Sequence, residues 1–350
     1  MGGGYRTSMT QQSHAGRAPV ETPEVDRTLD QILSTENEVE DCYENYAEGS
    51  KITDRQGERI SDRRDRLVNI LEESMEVEDS RLIGSFTRDT MVGPLNQDSD
   101  ADIMVVLDAD RHREWIHQEN GPRNCLNAVM RQIQNDPRFS DTEVRVRRNV
   151  VQVRYHDSTI EIAPAFDYSK VPQAKHPKQD GWNLFNDASD GYAIPDTHGK
   201  QSWQGTNPRR YKQMFEVRDE ANNGRVSGLT RTMKKWSENN DVPVRSYHME
   251  IMVYNYFAEK SRTGEPVPSS YESLTRDFVN TLPSRVKNTT REPVYDEAVD
   301  SGTSREQKDR VAKKAKSAAE KLKRAKQLKK QGETEKAKEL LREVHGEGFN

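Results

Sequence analysis

The chain is short of cysteine, of aliphatic side chains and of long apolar runs, and each shortage removes a class of protein. Its 350 residues include two cysteines, Cys42 and Cys125. Two thiols make neither a disulfide framework nor a cysteine-based zinc site, and they suit a reduced, cytoplasmic setting. No stretch approaches the ~18–20 consecutive apolar residues that cross a bilayer, so no membrane attachment is expected. Residues 1–18 are rich in Gly, Ser and Gln with no apolar centre and do not read as a signal peptide. Leu, Ile, Val and Phe supply 63 of the 350 residues, or 18%, just under the level at which disorder becomes an option. Mean hydropathy is −1.05.

What is present argues for order. Charged residues make up 32% of the chain, yet the net charge is only −5, too small for self-repulsion to hold it open. The expected product is a lean core under a heavily charged surface. The charge is unevenly spread: residues 301–350 carry +7 and residues 1–300 carry −12. That split predicts a separate basic C-terminal element laid against an acidic body, rather than a general nucleic-acid coat.

Residues 1–23 read as a disordered tail. Helical spacing runs over 25–46 (Val25, Leu29, Ile32, Leu33, Val39) and over 54–75 (Ile60, Leu67, Val68, Leu71). The period then changes. Arg81-Leu82-Ile83-Gly84-Ser85 ends in a turn, and Ile103–Leu107 is a short continuous apolar run, as in a strand buried on both faces. Residues 143–155 alternate as a half-buried strand or pair of strands, and a polar turn leads to Ile160-Glu161-Ile162-Ala163. Residues 164–207 read as an irregular crossover. Helices follow over 211–222, 227–239, 247–260 and 271–282, then a helical hairpin over 305–330 and 335–344. The front half is thus mixed α and β, and the back half all helix.

The chemistry gathers in one segment. Gly84-Ser85 opens a turn whose amides and hydroxyl suit an anion, and after fourteen intervening residues comes Asp100-Ala101-Asp102-Ile103. In a strand, Asp100 and Asp102 share a face. Like charges so placed repel, and a hard cation such as Mg²⁺ between them would remove the penalty. The plainer alternative is a solvated acidic turn of Asp98, Asp100 and Asp102. A third carboxylate from a neighbouring strand would complete a two-metal site for phosphoryl or nucleotidyl transfer. Glu161 is preferred, and Asp167, beyond Pro164, is its competitor.

These residues, with Ile160-Glu161-Ile162-Ala163-Pro164-Ala165-Phe166, resemble the signature of DNA polymerase β-type nucleotidyltransferases. More narrowly they resemble the bacterial CD-NTases, the cGAS/DncV-like cyclic-oligonucleotide synthases. Gly191-Tyr192-Ala193-Ile194-Pro195, Trp203 and Asn207-Pro208 are similar to that family's crossover. Leu229–Trp236 resembles its Lys-x-Trp helix, and Ser246-Tyr247-His248-Met249-Glu250 the start of its next helix. The resemblance spans roughly residues 55–345.

It implies an α+β polymerase β-type fold: a mixed sheet with flanking helices, plus a helical OAS/PAP-like lobe. The implied units are a catalytic domain over 24–170, the helical lobe over 171–300 and the basic hairpin over 301–350. Asp100, Asp102 and Glu161 would hold two Mg²⁺ ions, with Mn²⁺ as a substitute, and carry catalysis. Gly84 and Ser85 would meet the donor triphosphate, Lys234 would offset phosphate charge, and Ser246 with Tyr247 would line the nucleotide pocket. The implied substrates are NTPs, ATP among them, made into a cyclic di- or trinucleotide for antiphage (CBASS-like) signalling. The enzyme would work as a monomer, and its product would reach an effector protein that it does not itself contact.

The third carboxylate is commonly Asp in this group and is Glu here. No Cys/His cluster marks the zinc insertion of the animal relatives, so an obligatory DNA partner is not expected. The chain does not end in the bare small residue of a conjugation substrate, which speaks against a ubiquitin-like transfer partner. Other residues carry plainer readings: Trp182, Trp203 and Trp236 as packing, Tyr247 as either stacking or packing, and His156, His176 and His198 with no role. The Lys-rich helix over 308–330 reads as a solvated helix packed on the body rather than an RNA-binding stripe.

Overall fold

The computed structural model describes residues 23–174, 190–197, 201–346 and 348–350. The tail over 1–22, Trp182, His176 and His198 lie outside the described residues, as do the side chains of Val25, Leu29, Ile32 and Leu33. The chain opens with helices α1 (Pro23–Gly49) and α2 (Asp54–Ser74), strand β1 (Val77–Ile83) and a single turn α3 (Gly84–Thr87). Then come β2 (Asp100–Leu107), α4 (Arg113–His117), α5 (Gly121–Asn135), β3 (Glu143–Arg147), β4 (Val150–Arg154) and β5 (Thr159–Asp167). A hairpin of β6 (Tyr192–Asp196) and β7 (Ser202–Thr206) leads into helices α6 (Pro208–Glu220), α7 (Arg225–Asn239), α8 (Ser246–Thr263) and α9 (Tyr271–Arg285). Helices α10 (Arg305–Lys330) and α11 (Thr334–His345) complete the chain.

Among the described residues seven strands form one mixed sheet in the order β1-β2-β5-β4-β3, with β6 added to the end of β5 and β7 to β6. Among the described strands β2 and β5 are the parallel pair. Strand β2 lies inside the sheet between β1 and β5, and its apolar run is covered on both faces. Ile103, Val105 and Leu107 pack with Leu67 and Leu71 of α2 and Leu126, Val129 and Ile133 of α5. Met104 and Val106 join Ala165 and Tyr192 in a small cluster on the opposite face. The two-residue period places Asp100 and Asp102 on that second face, away from the main core.

A second core is all helical. Tyr211, Phe215, Leu229, Met233, Trp236, Ile251, Tyr254, Phe257, Phe278 and Leu282 build it, and Val39, Tyr43 and Tyr46 of α1 join it. Thus α1, which precedes the sheet in sequence, packs with the helices that follow it. The hairpin's inner stripe of Val311, Ala315, Ala318, Leu322, Ala325 and Leu328 is buried. Its small side chains let the backbones approach closely. Lys308 to Asp300, Lys329 to Glu272 and Lys338 to Glu38 tie it to the body at its margins. Among the described residues no helix is long and apolar enough to cross a membrane.

Two segments differ from the sequence reading. The crossover expected to be irregular over 164–207 instead begins with the end of β5 and ends with the β6–β7 hairpin. Pro164 cannot donate to the ladder, which is why the pattern stops there. Yet it pairs with Val105 inside the sheet, and one missing N–H is tolerated. Strands β6 and β7 have five residues each and are partly polar, too short for periodicity to declare them. The segment between 108 and 142, which carries no expected element, also holds structure. Helix α5 sits there, burying Cys125, Leu126, Val129 and Ile133 at the helical spacing that would have revealed it.

Candidate active site

At the end of β1 the backbone leaves an extended Ile83 and enters Gly84 at φ +69°, a conformation that glycine adopts without steric cost. Register pairs Ile83 with Asp102. A Cβ on Gly84 would lie 1.9 Å from Asp102 Oδ2. Glycine is therefore required twice, for the turn and for the approach of the backbone to this carboxylate.

Across the parallel pair, Asp102 stands opposite Glu161, and Glu161 stands opposite Gln152 of β4. Paired residues share a face, so Asp100, Asp102 and Glu161 face the same side of the sheet. Gln152 Nε2 donates to Glu161 Oε1 at 2.6 Å, and Arg145 Nε donates to Gln152 Oε1 at 3.1 Å. Asp167 lies six residues further along, about 20 Å at strand rise. It accepts from the Ser169 amide at 2.8 Å, capping the turn after β5. Glu161, not Asp167, is the carboxylate beside Asp102.

The cost of this grouping is visible in the acids. Burial, with Glu161 next to it, pushes the Asp102 carboxyl up to about 7. The same two causes bring Asp100 to about 7. Asp100 and Asp102, crowded with Glu161 and only partly offset by Arg147 and Arg154 on the first and Arg88 on the second, offer the oxygen donors a hard divalent cation prefers. Among the described residues no three His, Cys, Asp or Glu side chains already stand in a metal-holding arrangement. The strands thus bring the oxygens side by side without closing them on one point, and Glu161 is turned to Gln152. The residue types fit Mg²⁺ or Mn²⁺.

Helix α8 begins at Ser246. Ser246 and Tyr247 are exposed in its first turn, after an extended Arg245 that makes no side-chain cap. Amides of an uncapped first turn, with the helix dipole behind them, favour an anion. Tyr247 is 42% exposed, and its ring meets Tyr211 edge-on at 6.1 Å. An exposed aromatic beside an anion-friendly helix end suits a nucleotide base and its phosphates.

Lys234, expected to offset phosphate charge, sits in a buried cluster of charged groups. It is 3% exposed and donates to Glu250 Oε2 at 2.7 Å and to the Thr90 carbonyl at 3.1 Å. Glu250, fully buried, also accepts from Arg88 Nε at 2.6 Å and from Thr90 Oγ1 at 2.6 Å. Burial alone would raise the Glu250 pKa, but Arg88 and Lys234 overcome it and hold it at about 2. Sequence reasoning gave no role to Arg88, Thr90 or Glu250. The signal for Glu250 was a carboxylate set among apolar neighbours (Met249, Ile251, Met252, Val253), which folding tolerates only with a partner. Trp203 and Trp236 are core residues.

The family model described as "Second Messenger Oligonucleotide or Dinucleotide Synthetase domain" matches residues 38–219, just over half of the chain. A protein of Bacillus cereus (strain VD146), named "probable cyclic nucleotide synthase", is 27% identical over 203 residues. That alignment covers 51% of this chain and 55% of the relative, so the chain spans about half the length of the curated relative it matches. Among solved structures, the CdnC:HORMA-deltaN complex of E. coli MS115-1 superimposes with a TM-score of 0.62 at 15% identity. It covers 90% of this chain and 99% of that one. The CD-NTase CdnG of Bradyrhizobium diazoefficiens, solved in complex with GTP, gives 0.61 at 10% identity over 89% and 96%. At such identities these are likenesses of fold, and the fold is the one the carboxylate motif predicts. By its matched sequence and its architecture, the chain belongs to the Second Messenger Oligonucleotide or Dinucleotide Synthetase family, the bacterial CD-NTases.

Proposed function

We propose that this protein is a Mg²⁺-dependent nucleotidyltransferase that joins NTPs, ATP among them, into a cyclic di- or trinucleotide second messenger. The observation that carries the reading is the register of Asp102 beside Glu161 with the Gly84 backbone pressed against Asp102. The turn that would meet the donor phosphates then adjoins the carboxylates. Asp100, Asp102 and Glu161 would hold two Mg²⁺ ions, with Mn²⁺ as a substitute. When bound, these cations supply charge stabilisation for in-line attack at an α-phosphate. Ser85 and the first turn of α8 at Ser246 would orient the triphosphate, and Tyr247 would stack on a base. The attacking group is a 3′- or 2′-hydroxyl of a second nucleotide, and pyrophosphate leaves. Residues 24–170 would act as the catalytic unit, 171–300 as the helical lobe over it, with α1 packed on the lobe, and 301–350 as a brace. The setting we infer is a cytoplasmic, monomeric synthase in antiphage signalling, with its effector reached only through the product.

The test is incubation of purified protein with labelled NTPs and MgCl₂, followed by phosphatase. A resistant small product that disappears in Asp100→Ala/Asp102→Ala supports the reading. Label on RNA or protein instead would favour a linear nucleotidyltransferase, and tight NTP binding without pyrophosphate release would favour a silent nucleotide-binding protein.

A further inference from the structure

The loop that joins α9 to α10 leaves a groove on the helical half. It encloses about 410 Å³ and is lined by Lys287, Thr303, Arg305, Lys308 and Asp309. That volume falls within the range of small-molecule sites. The lining carries three cations and no ring, so it offers a ligand charge rather than a stacking surface. None of these residues belongs to the sheet that bears Asp100, Asp102 and Glu161.

Charge around the groove is incompletely balanced. Lys287 Nζ lies 3.4 Å from Asp309 Oδ1, and Lys308 pairs with Asp300. Asp300 is buried and also accepts from the Thr290 amide at 3.2 Å, which holds the Lys308 ammonium from behind. Among the described residues no hydrogen bond or ion pair engages the Arg305 guanidinium. The same is true of Arg245, whose guanidinium lies over Gly302, beside Thr303: a Cβ on Gly302 would meet its Nη2 at 2.6 Å. Four cations therefore stand against two carboxylates, and two of the four are guanidiniums without a counter-charge. The planar fork of N–H donors on arginine matches phosphate oxygens. The end of α10 is not itself the donor, because Ser304 and Gln307 cap one another, the Gln307 amide donating to Ser304 Oγ at 3.1 Å.

We propose that this groove binds a phosphate-bearing anion through Arg305, Lys287 and Lys308, with Arg245 at its edge, at a site separate from the carboxylates. A diphosphate or triphosphate fits the charge, and a bare nucleoside does not. Such a site stands apart from the nucleotidyltransferase reading, since binding there needs neither turnover nor metal.

The test is calorimetric titration of the full chain with sodium pyrophosphate in EDTA, which keeps metal from bridging phosphate to Asp100 and Asp102. Wild type should bind saturably, with a Kd below about 1 mM. Arg305→Gln and Lys287→Gln should each weaken binding by about tenfold. Arg305→Lys, which keeps the charge, should recover to within about threefold of wild type. Both side chains are exposed, so neither substitution should move the melting midpoint. Asp100→Ala/Asp102→Ala should bind no more weakly than wild type. ATP that displaces pyrophosphate marks a nucleotide ligand, and ATP that does not marks an inorganic one; both lie within the proposed class. Displacement by adenosine would overturn it. So would binding that is unchanged in Arg305→Gln/Lys287→Gln, binding that is lost in Asp100→Ala/Asp102→Ala, or no saturable binding up to about 10 mM pyrophosphate.

Discussion

Replacing Gly84 with Ala should separate catalysis from folding more cleanly than any other single change. The residue sits at φ +69°, where a Cβ costs ~1–2 kcal/mol. For a chain of this size that lowers the melting midpoint by only a few degrees. The geometric cost is larger. A Cβ at 1.9 Å from Asp102 Oδ2 must open to the ~3.5 Å of ordinary contact, so the carboxylate or the turn shifts by about 1.5 Å. Misplacement by ~1 Å at a reacting centre costs ~100-fold in rate. Gly84→Ala is thus expected to melt within a few degrees of wild type while its pyrophosphate release falls about 100-fold. Gly224→Ala is the control. That glycine has φ +75° with nothing within 4 Å of the added Cβ, so it bears the backbone cost alone and should keep wild-type turnover. Wild-type turnover in Gly84→Ala, or equal losses in both variants, would refute the reasoning.

Three further outcomes follow from the same structure. Asp102→Asn replaces a carboxyl that burial first, and then Glu161, push up to about 7. It should melt higher than wild type in EDTA, and MgCl₂ should raise the wild-type midpoint but not the variant's; equal Mg²⁺ shifts would contradict the assigned site. His248 is buried against Thr290 at 2.9 Å and kept neutral, with burial lowering its pKa to about 4. Its folded pKa lies below the unfolded ~6.5, so the stability it carries is present above pH 6.5 and is lost as pH falls towards 4. The loss is on the order of 1 kcal/mol per pH unit. Asp100 and Asp102 pull the opposite way as they take up protons, so the readout is a difference: His248→Gln should lose less stability than wild type between pH 6.5 and 5, and parallel curves would count against it. Phe349 is 1% exposed, stacked on His345 at 4.7 Å and edge-on to Tyr43 at 4.8 Å. Phe349→Ala should destabilise by about 3–5 kcal/mol in chemical denaturation; a change below ~1 kcal/mol would mean that this aromatic seal does not hold α1 to the hairpin.

The central strand and the carboxylates were legible because their residues obey simple rules. An apolar run declares a strand covered on both faces, and alternate aspartates at its head must share a face. The basic hairpin was legible from charge, although its Ala-rich stripe does the packing and the ion pairs sit at its margins. Three things were hidden, each for a physical reason. Strands β6 and β7 are too short and polar for a period to show. The membership of α1 in the helical core depends on contacts from Tyr43 and Tyr46 to residues ~300 positions away, which no local pattern encodes. Lys234 resembles a phosphate-facing residue in sequence, but its neighbour across the helix pair, Glu250, claims it. Pairing between residues 16 positions apart on different helices is a tertiary fact.

The measurement closest to the central claim is the product itself. Wild-type protein supplied with labelled NTPs and MgCl₂ should yield a phosphatase-resistant small molecule whose mass is that of a cyclic di- or trinucleotide. Asp100→Ala/Asp102→Ala should yield none. A resistant product that persists in that variant would contradict the assigned site. A wild type that binds nucleotide yet forms no such product would contradict the assigned chemistry.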